Sequence, residues 1–181
     1  MTLPDDSMAT LDSFIRTVPD FPKKGIMFRD VTTLFKEPEA LRRAADELAA
    51  PYRDLGIQKV VGIESRGFVL GTALALALGA GFVPARKSGK LPGETQGEEY
   101  ALEYGTDRIE IHTDAIHPGE RVLLHDDLLA TGGTMAAAVR LVERLGGRII
   151  GISFLIELAF LHGREKLRPH QPLVLIRYDA E

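Results

Sequence analysis

The sequence predicts an α/β fold: an open, mainly parallel, twisted sheet flanked by helices. Short runs rich in valine, isoleucine and leucine alternate with longer segments of helical apolar spacing along the 181 residues. The apolar share of 45% and the charged share of 27% are typical of a globular domain. Neither an internal repeat nor a low-complexity linker divides the chain, so we expect residues 1–181 to form a single domain.

The elements follow from apolar spacing and from the glycines and prolines that interrupt it. The predicted helices are a short one over 11–18, one after Pro38 that ends before Gly56, one over Gly67–Leu78 and one over 134–145. The predicted strands are Lys59–Ile63, 82–85, 121–125, Arg148–Leu158 and Leu173–Tyr178. Helices between successive strands require parallel pairing and crossover connections.

The segment 87–99 has a different composition from its surroundings. It contains glycine, proline, lysine and glutamate without an apolar period, which predicts a long loop. Loops of this length inside a compact domain are usually functional. The two segments that follow, 100–104 and 108–111, are predicted to pair as a hairpin around Gly105.

Composition excludes several classes of protein. A net charge of −4 argues against a general nucleic-acid binder, which normally carries a basic surplus. The absence of cysteine excludes disulfides and thiolate metal sites. The acidic start of the chain lacks the features of a signal peptide, and the longest apolar stretch is too short to span a membrane. We therefore expect a cytoplasmic protein with no membrane or nucleic-acid partner.

One strand-to-helix junction carries the clearest chemical signal. The strand ending at 125 leads into two adjacent carboxylates, Asp126 and Asp127. A loop of small residues then enters the helix at 134, and its members are Ala130, Thr131, Gly132, Gly133 and Thr134. Backbone N–H groups at a helix N-terminus favour a phosphate, and glycine permits its close approach. This pattern predicts a site for a sugar phosphate, with its hydroxyls on the two acids.

Other interpretations of these residues stay open. Asp126 and Asp127 could simply cap a turn, and Arg66 could form a structural salt bridge. A nucleotide P-loop is excluded because no Gly-Lys-Ser/Thr follows the glycines. A hydrolase nucleophile at Ser65 is disfavoured because Gly62 stands one residue too early for the required Gly-x-Ser-x-Gly. The histidines show no metal spacing, so surface positions are expected for them.

The run from Val122 to Thr134 resembles the phosphoribosyl pyrophosphate (PRPP) signature of the type I phosphoribosyltransferase family. His125 departs from that signature, in which an aliphatic residue is commoner, so we expect it to face away from the ligand, either in the packing or at the surface. Further segments resemble the members of this family that act on adenine, and they lie at 21–30, 62–68, 86–93, 100–105, 157–158 and 163–167. The resemblance extends over nearly the whole chain.

This resemblance implies a role for each segment. A segment at about 19–36 is expected to bind the base, and a mobile hood loop at about 87–108 is expected to close over the site. The residues implied to contact the base are Met27, Phe28, Arg29 and Leu158. The residues implied to bind pyrophosphate are Ser65, Arg66, Lys87 and Lys90. The resemblance also implies catalytic roles for Asp126, Asp127 and Glu103. Glu103 would help proton transfer at the purine.

The implied reaction joins adenine to PRPP and gives AMP and pyrophosphate. Mg²⁺ is expected on pyrophosphate and ribose oxygens, with no direct protein ligand assigned, and a homodimer is what the family implies. Two alternatives remain: a transferase for guanine, hypoxanthine or xanthine on the same scaffold, or a PRPP-sensing regulator that lacks catalysis.

Overall fold

The computed structural model describes residues 10–101 and 105–180 and confirms the α/β fold. Nine strands occur in these ranges, and seven of them form the main sheet. They are β1 (Arg16–Val18), β2 (Phe28–Asp30), β3 (Lys59–Ile63), β4 (Gly81–Lys87), β5 (Thr95–Ala101), β6 (Thr106–His112), β7 (Arg121–Leu129), β8 (Arg148–Leu158) and β9 (Leu173–Tyr178).

Four α-helices and four 3₁₀ helices lie in the described ranges. The α-helices are α1 (Thr32–Phe35), α2 (Pro38–Ala49), α3 (Gly67–Leu78) and α4 (Gly133–Arg144). The 3₁₀ helices are Leu11–Phe14, Ala50–Tyr52, Ala159–Leu161 and Gly163–Leu167. None of these helices has the length and apolar character needed to cross a membrane.

The main sheet has the strand order β5-β6-β4-β3-β7-β8-β9. The five strands from β4 to β9 in this order pair in parallel, whereas the hairpin of β5 and β6 pairs antiparallel at one edge. Helices α3 and α4 provide the crossovers from β3 to β4 and from β7 to β8. The order reverses at β3 and β7, and open α/β sheets bind ligands at such a point, beyond the carboxyl ends of the strands.

Two apolar cores cover the two faces of the sheet. Successive residues of a strand point to opposite faces, so Val60 joins the core under α2 and α3, whereas Val61 joins the core under α4. Both valines are fully buried. This double coverage explains why the central strands are apolar throughout rather than alternating.

Three segments differ from the sequence-based expectation. The helix expected over 11–18 is instead the 3₁₀ helix Leu11–Phe14 followed by β1, which pairs with β2. The loop expected over 87–99 is shorter, because β5 begins at Thr95 and pairs with β6. The strand expected over 121–125 continues to Leu129, because β8 provides a partner along its whole length.

Asp30 links the two strands of the β1–β2 ribbon to the start of α1. Asp30 accepts hydrogen bonds from the Thr32 hydroxyl at 2.7 Å and from the Thr32 N–H at 2.9 Å. Its other oxygen pairs with Arg16 at 2.5 Å. The Thr32 hydroxyl and Arg16 together lower the pKa of Asp30 to about 2. The segment around β2 is therefore held in place at both its backbone and its side chains.

His125 lies in the interior, so of the two positions expected for it the structure shows packing, unlike the surface default for histidines in general. Its side chain is fully buried on β7, and Nδ1 lies 3.0 Å from the Ser153 hydroxyl. Nε2 has no hydrogen-bond partner among the described residues. Burial lowers the pKa of His125 to about 3, so the imidazole is neutral in the folded protein.

This burial makes stability depend on pH. Because the folded pKa lies below the unfolded value, protonation of the unfolded chain lowers stability as pH falls from about 6.5 towards 3. Between pH 7.5 and pH 5.5, the free energy of unfolding of the parent protein should fall by about 1.4 kcal/mol more than that of His125→Leu. Urea unfolding of both proteins at the two pH values measures this difference. An unchanged pH dependence in the variant would contradict the role of His125.

Candidate active site

The junction between β7 and α4 has the geometry predicted for a phosphate site. The loop from Ala130 leads into α4, with Gly132 at the N-cap position and in the left-handed conformation (φ +77°). A cavity of about 80 Å³ lies at this junction. Its lining includes all five predicted loop residues, namely Ala130, Thr131, Gly132, Gly133 and Thr134, together with Asp126. The unpaired N–H groups of the first turn of α4 favour an anion there.

A close backbone contact with Gly163 shapes this loop. A Cβ atom on Gly132 would lie 2.4 Å from the carbonyl oxygen of Gly163. A Cβ atom on Gly163 would lie 2.2 Å from the carbonyl oxygen of Ala130. Both distances are far below van der Waals contact, so glycine is required on each side. The role of Gly163 was not predicted, although its segment is one of those that carry the family resemblance.

A partly buried ion pair anchors the segment that contains Gly163. Arg164 donates to both carboxylate oxygens of Glu157, at 2.7 Å and 2.8 Å. It also donates to the Pro172 carbonyl at 3.1 Å. Glu157 is 3% exposed and lies near the end of β8. The bidentate contact therefore fixes the 3₁₀ helix Gly163–Leu167 behind the 130–134 loop.

The two acids are close together in a desolvated position. Asp127 is buried, and its N–H donates to Asp126 Oδ1 at 2.8 Å. Burial raises the pKa of Asp126 well above its usual value, and the neighbouring Asp127 raises it further. Burial also raises the pKa of Asp127, although Arg66 opposes this shift. Because a turn cap would be solvated, this arrangement favours a binding role, in which hydroxyl donors of a ligand offset the burial.

Arg66 connects three of the predicted parts of the site. Its Nε lies 2.9 Å from Asp127 Oδ2, and its guanidinium lies 5.0 Å from the centre of the Phe28 ring. Nη1 is buried and has no hydrogen-bond partner among the described residues. The salt bridge considered as an alternative for Arg66 does exist, but its partner is a residue of the site. The unpartnered N–H group remains available to an anion.

Close approach of α3 places the loop 64–66 beside the acids. A Cβ atom on Gly67, the first residue of α3, would lie 2.7 Å from Asp126 Oδ1. Ser65 is exposed in this loop, and the peptide bond between Glu64 and Ser65 is cis. The loop between β3 and α3 therefore faces the same space as the twin acids. This is the juxtaposition expected for a pyrophosphate loop and a ribose site.

The predicted base-binding residues lie on β2, directly before it, and at the end of β8. Phe28 packs edge-on against Phe21, with ring centres 5.0 Å apart. Arg29 stacks 3.9 Å above the ring of Tyr178, which is the strand partner of Leu158. Met27 lies on the same segment and is 37% exposed.

The two predicted lysines lie at the end of β4 and in the turn that follows. Lys87 Nζ lies 3.0 Å from Asp107. Lys90 is exposed, and its backbone carbonyl accepts a hydrogen bond from Arg86. Glu103, predicted to act on the purine, lies outside the described residues, and so does part of the hood expected over 87–108.

Glu110 is a buried carboxylate that sequence reasoning missed. It accepts hydrogen bonds from the Ser88 hydroxyl at 2.8 Å and from the Gly89 N–H at 3.0 Å. The Ser88 hydroxyl and the Gly89 N–H lower the pKa of Glu110. This residue therefore fixes the turn that carries Lys87 and Lys90. Its position in an alternating strand gave no signal of this contact.

The described residues contain no cluster of three or more histidine, aspartate or glutamate side chains able to hold a metal ion. Asp126 lines the cavity at the 130–134 loop, and Asp127 is its neighbour in the chain. Such a donor set fits Mg²⁺ that is bound mainly through oxygens of its substrate, because this ion keeps few protein ligands in phosphate sites.

Comparison with known proteins agrees with this geometry. The family model for the phosphoribosyl transferase domain matches residues 30–173. The adenine phosphoribosyltransferase of Alkaliphilus metalliredigens is 58% identical over 168 residues, which cover 93% of this chain and 99% of that protein.

Solved structures extend the agreement to the fold. The crystal structure of adenine phosphoribosyltransferase from Rhodothermus marinus is 56% identical and has a TM-score of 0.89, covering 93% of this chain and 96% of that one. The enzyme from Giardia lamblia, complexed with 9-deazaadenine, is 44% identical with a TM-score of 0.87 at the same coverage. The chain therefore belongs to the phosphoribosyltransferase family and, within it, to the adenine phosphoribosyltransferases.

Proposed function

We propose that this enzyme transfers the 5-phosphoribosyl group of PRPP to adenine, giving AMP and pyrophosphate in purine salvage, through the residues described above. The observation that carries the assignment is the position of two desolvated acids next to a glycine-lined helix start. A sugar phosphate matches this pair of features, since its phosphate suits the helix start and its hydroxyls suit the acids.

The 5′-phosphate occupies the loop formed by Ala130, Thr131, Gly132, Gly133 and Thr134. Backbone N–H groups and two hydroxyls supply its hydrogen bonds, and the positive end of α4 favours its charge. The ribose hydroxyls donate to Asp126 and Asp127. The same carboxylates stabilise the positive charge that develops on the sugar as the bond to pyrophosphate breaks.

Pyrophosphate, the leaving group, is bound by Ser65, Arg66, Lys87 and Lys90. The unpartnered Nη1 of Arg66 supports this role, because a buried guanidinium N–H gains most from an anionic acceptor. Asp126 and Asp127 lie where they would help to hold Mg²⁺ together with the substrate, and the ion would supply charge neutralisation for the leaving group.

Adenine lies between Phe28 and Leu158, with backbone groups of Met27 and Arg29 at its edge. The edge-on pair of Phe21 and Phe28 supports this position, because it holds the Phe28 ring in a fixed orientation. Glu103 assists proton transfer at the purine as the base attacks. The hood at 87–108 excludes water from a sugar cation that water would otherwise attack.

A homodimer is the proposed assembly. Its support is the outer face of α3, a helix with apolar residues on all sides. On this face Leu76 is 80% exposed and Val69 is 42% exposed, which is unusual for large apolar side chains of a helix. The cytoplasmic location expected from the sequence stays a prediction.

Pyrophosphate release from PRPP tests the proposed function directly. With Mg²⁺ present, adenine should support rapid release, whereas guanine, hypoxanthine and xanthine should give at most a small fraction of that rate. Removal of Mg²⁺ with EDTA should abolish release. A preference for another base would assign the enzyme to a different substrate, and the lack of release with every base would leave PRPP sensing as the function.

The proposed catalytic role of Asp127 can be tested with a substitution that leaves the fold stable. Asp127→Asn should lower kcat/KM roughly 100-fold, because it removes the charge that faces the sugar cation. Its melting temperature should not fall below that of the parent protein, since burial raises the pKa of Asp127 and its ionisation opposes folding at neutral pH. Asp114→Asn, at an exposed position outside the site, is the matched control. Normal turnover in Asp127→Asn would remove the ribose role.

The phosphate loop is tested by a pair of glycine substitutions. Gly132→Ala places a Cβ atom against Gly163 and should raise the KM for PRPP roughly 100-fold by displacing the loop. Gly79→Ala imposes the same left-handed strain at the end of α3, where no atom lies within 4 Å, and should leave the KM unchanged. Unchanged PRPP affinity in Gly132→Ala would argue against a phosphate at this loop.

A further inference from the structure

Three polar side chains share one face of the sheet edge that borders the site. Tyr100 on β5 stands directly opposite Asp107 on β6. Lys87 on β4 stands opposite Ile109, two residues further along β6. Because side chains alternate along a strand, Lys87 and Asp107 are diagonal neighbours on the same face. The three residues therefore form a row across β4, β6 and β5.

Asp107 is the centre of this row and is held by three donors. Its Oδ2 lies 3.0 Å from Lys87 Nζ and accepts a hydrogen bond from the Tyr100 hydroxyl at 3.2 Å. Its Oδ1 accepts the N–H of Arg108 at 2.8 Å. The carboxylate thus keeps its position without help from the lysine. Lys87, whose side chain is 60% exposed, retains further N–H groups for another anion.

Tyr100 connects this row to the phosphate loop. It is only 9% exposed, and its ring lies 3.5 Å from the position that a Cβ atom on Gly133 would take. Burial raises the pKa of Tyr100, and the Thr134 side chain opposes that shift. Tyr100 therefore lies between the first turn of α4 and Asp107. A continuous series of contacts runs from the 5′-phosphate loop to Lys87.

We propose that Asp107 is a positioning residue, fixed by Tyr100 against the phosphate loop, which orients the Lys87 ammonium towards the pyrophosphate of PRPP. This inference rests on the proposed pyrophosphate role of Lys87. An exposed lysine samples many rotamers, and one rigid acceptor removes most of that freedom before the substrate arrives. Preorganisation of this kind increases affinity without a new contact to the ligand.

Orientation of Lys87 by Asp107 raises the affinity for pyrophosphate, but the negative charge of Asp107 lowers it. The carboxylate next to the lysine partly cancels the positive charge that attracts pyrophosphate. Lys87 lies largely in water, where the interaction between charges is screened, so we expect orientation to outweigh neutralisation. The two effects predict opposite signs for the change in affinity when the carboxylate is removed. The sign is therefore the decisive observation.

The experiment is a double-mutant cycle with inorganic pyrophosphate as the probe. Lys87→Ala should weaken product inhibition by pyrophosphate about tenfold, and Asp107→Asn should weaken it about threefold to fivefold with little change in kcat. In the Lys87→Ala background, Asp107→Asn should have no further effect. Asp114→Asn, which removes an exposed charge outside the hood, should behave like the parent enzyme.

The cycle separates this inference from the proposed function on which it rests. If Lys87→Ala leaves pyrophosphate inhibition unchanged, the proposed role of Lys87 fails and the inference fails with it. If Lys87→Ala weakens inhibition but Asp107→Asn does not, or strengthens it, only the positioning role is overturned. An effect of Asp107→Asn that persists without Lys87 would indicate a general structural role and would also overturn it. Should Asp107→Asn fail to fold, Tyr100→Phe removes one donor to the carboxylate and should weaken inhibition in the same direction.

Discussion

The close contact between the backbones of Gly132 and Gly163 is the constraint on which the site depends. A carbonyl oxygen approaches each of these glycines at a distance that any side chain would prevent. The contact lets the loop fold tightly enough for α4 to begin directly after it, so that the first N–H groups of the helix face the cavity. The Arg164–Glu157 ion pair holds Gly163 in place from behind. The conformation of the 130–134 loop therefore depends on Gly163 and Arg164, which lie outside the loop itself.

The electrostatics of the site follow from where the sheet places its charges. Asp126 and Asp127 lie on a central strand, where burial raises the pKa of both, and Arg66 reaches them from the neighbouring strand-to-helix connection. Burying a carboxylate that accepts few hydrogen bonds raises the free energy of the folded chain. A ligand that brings hydroxyl donors and an anion supplies the partners that these acids and Arg66 lack. The proposed ligand, a sugar phosphate, combines both kinds of group.

Much of the fold was predictable because its elements are determined locally. The predicted strands Lys59–Ile63, Arg148–Leu158 and Leu173–Tyr178 and the helix Gly67–Leu78 occur as expected, because each combines an apolar pattern with a glycine or proline at its boundary. The errors lie where pairing between distant residues overrides local composition. Thr95–Ala101 is polar and has little apolar pattern, yet it forms a strand because β6 provides hydrogen-bond partners and α4 receives Tyr100.

The sequence by itself determined the order of the central strands and helices, the two adjacent acids and the glycine-lined loop, because adjacent residues carry these features and need no distant partner. Only the tertiary structure decided that Arg66 pairs with Asp127, that Gly163 supports the loop, that His125 is buried beside Ser153 and that Asp107 holds Lys87. Each of these contacts joins residues far apart in the chain. Their positions depend on sheet register and helix packing, and neither quantity is encoded in the spacing of a single segment.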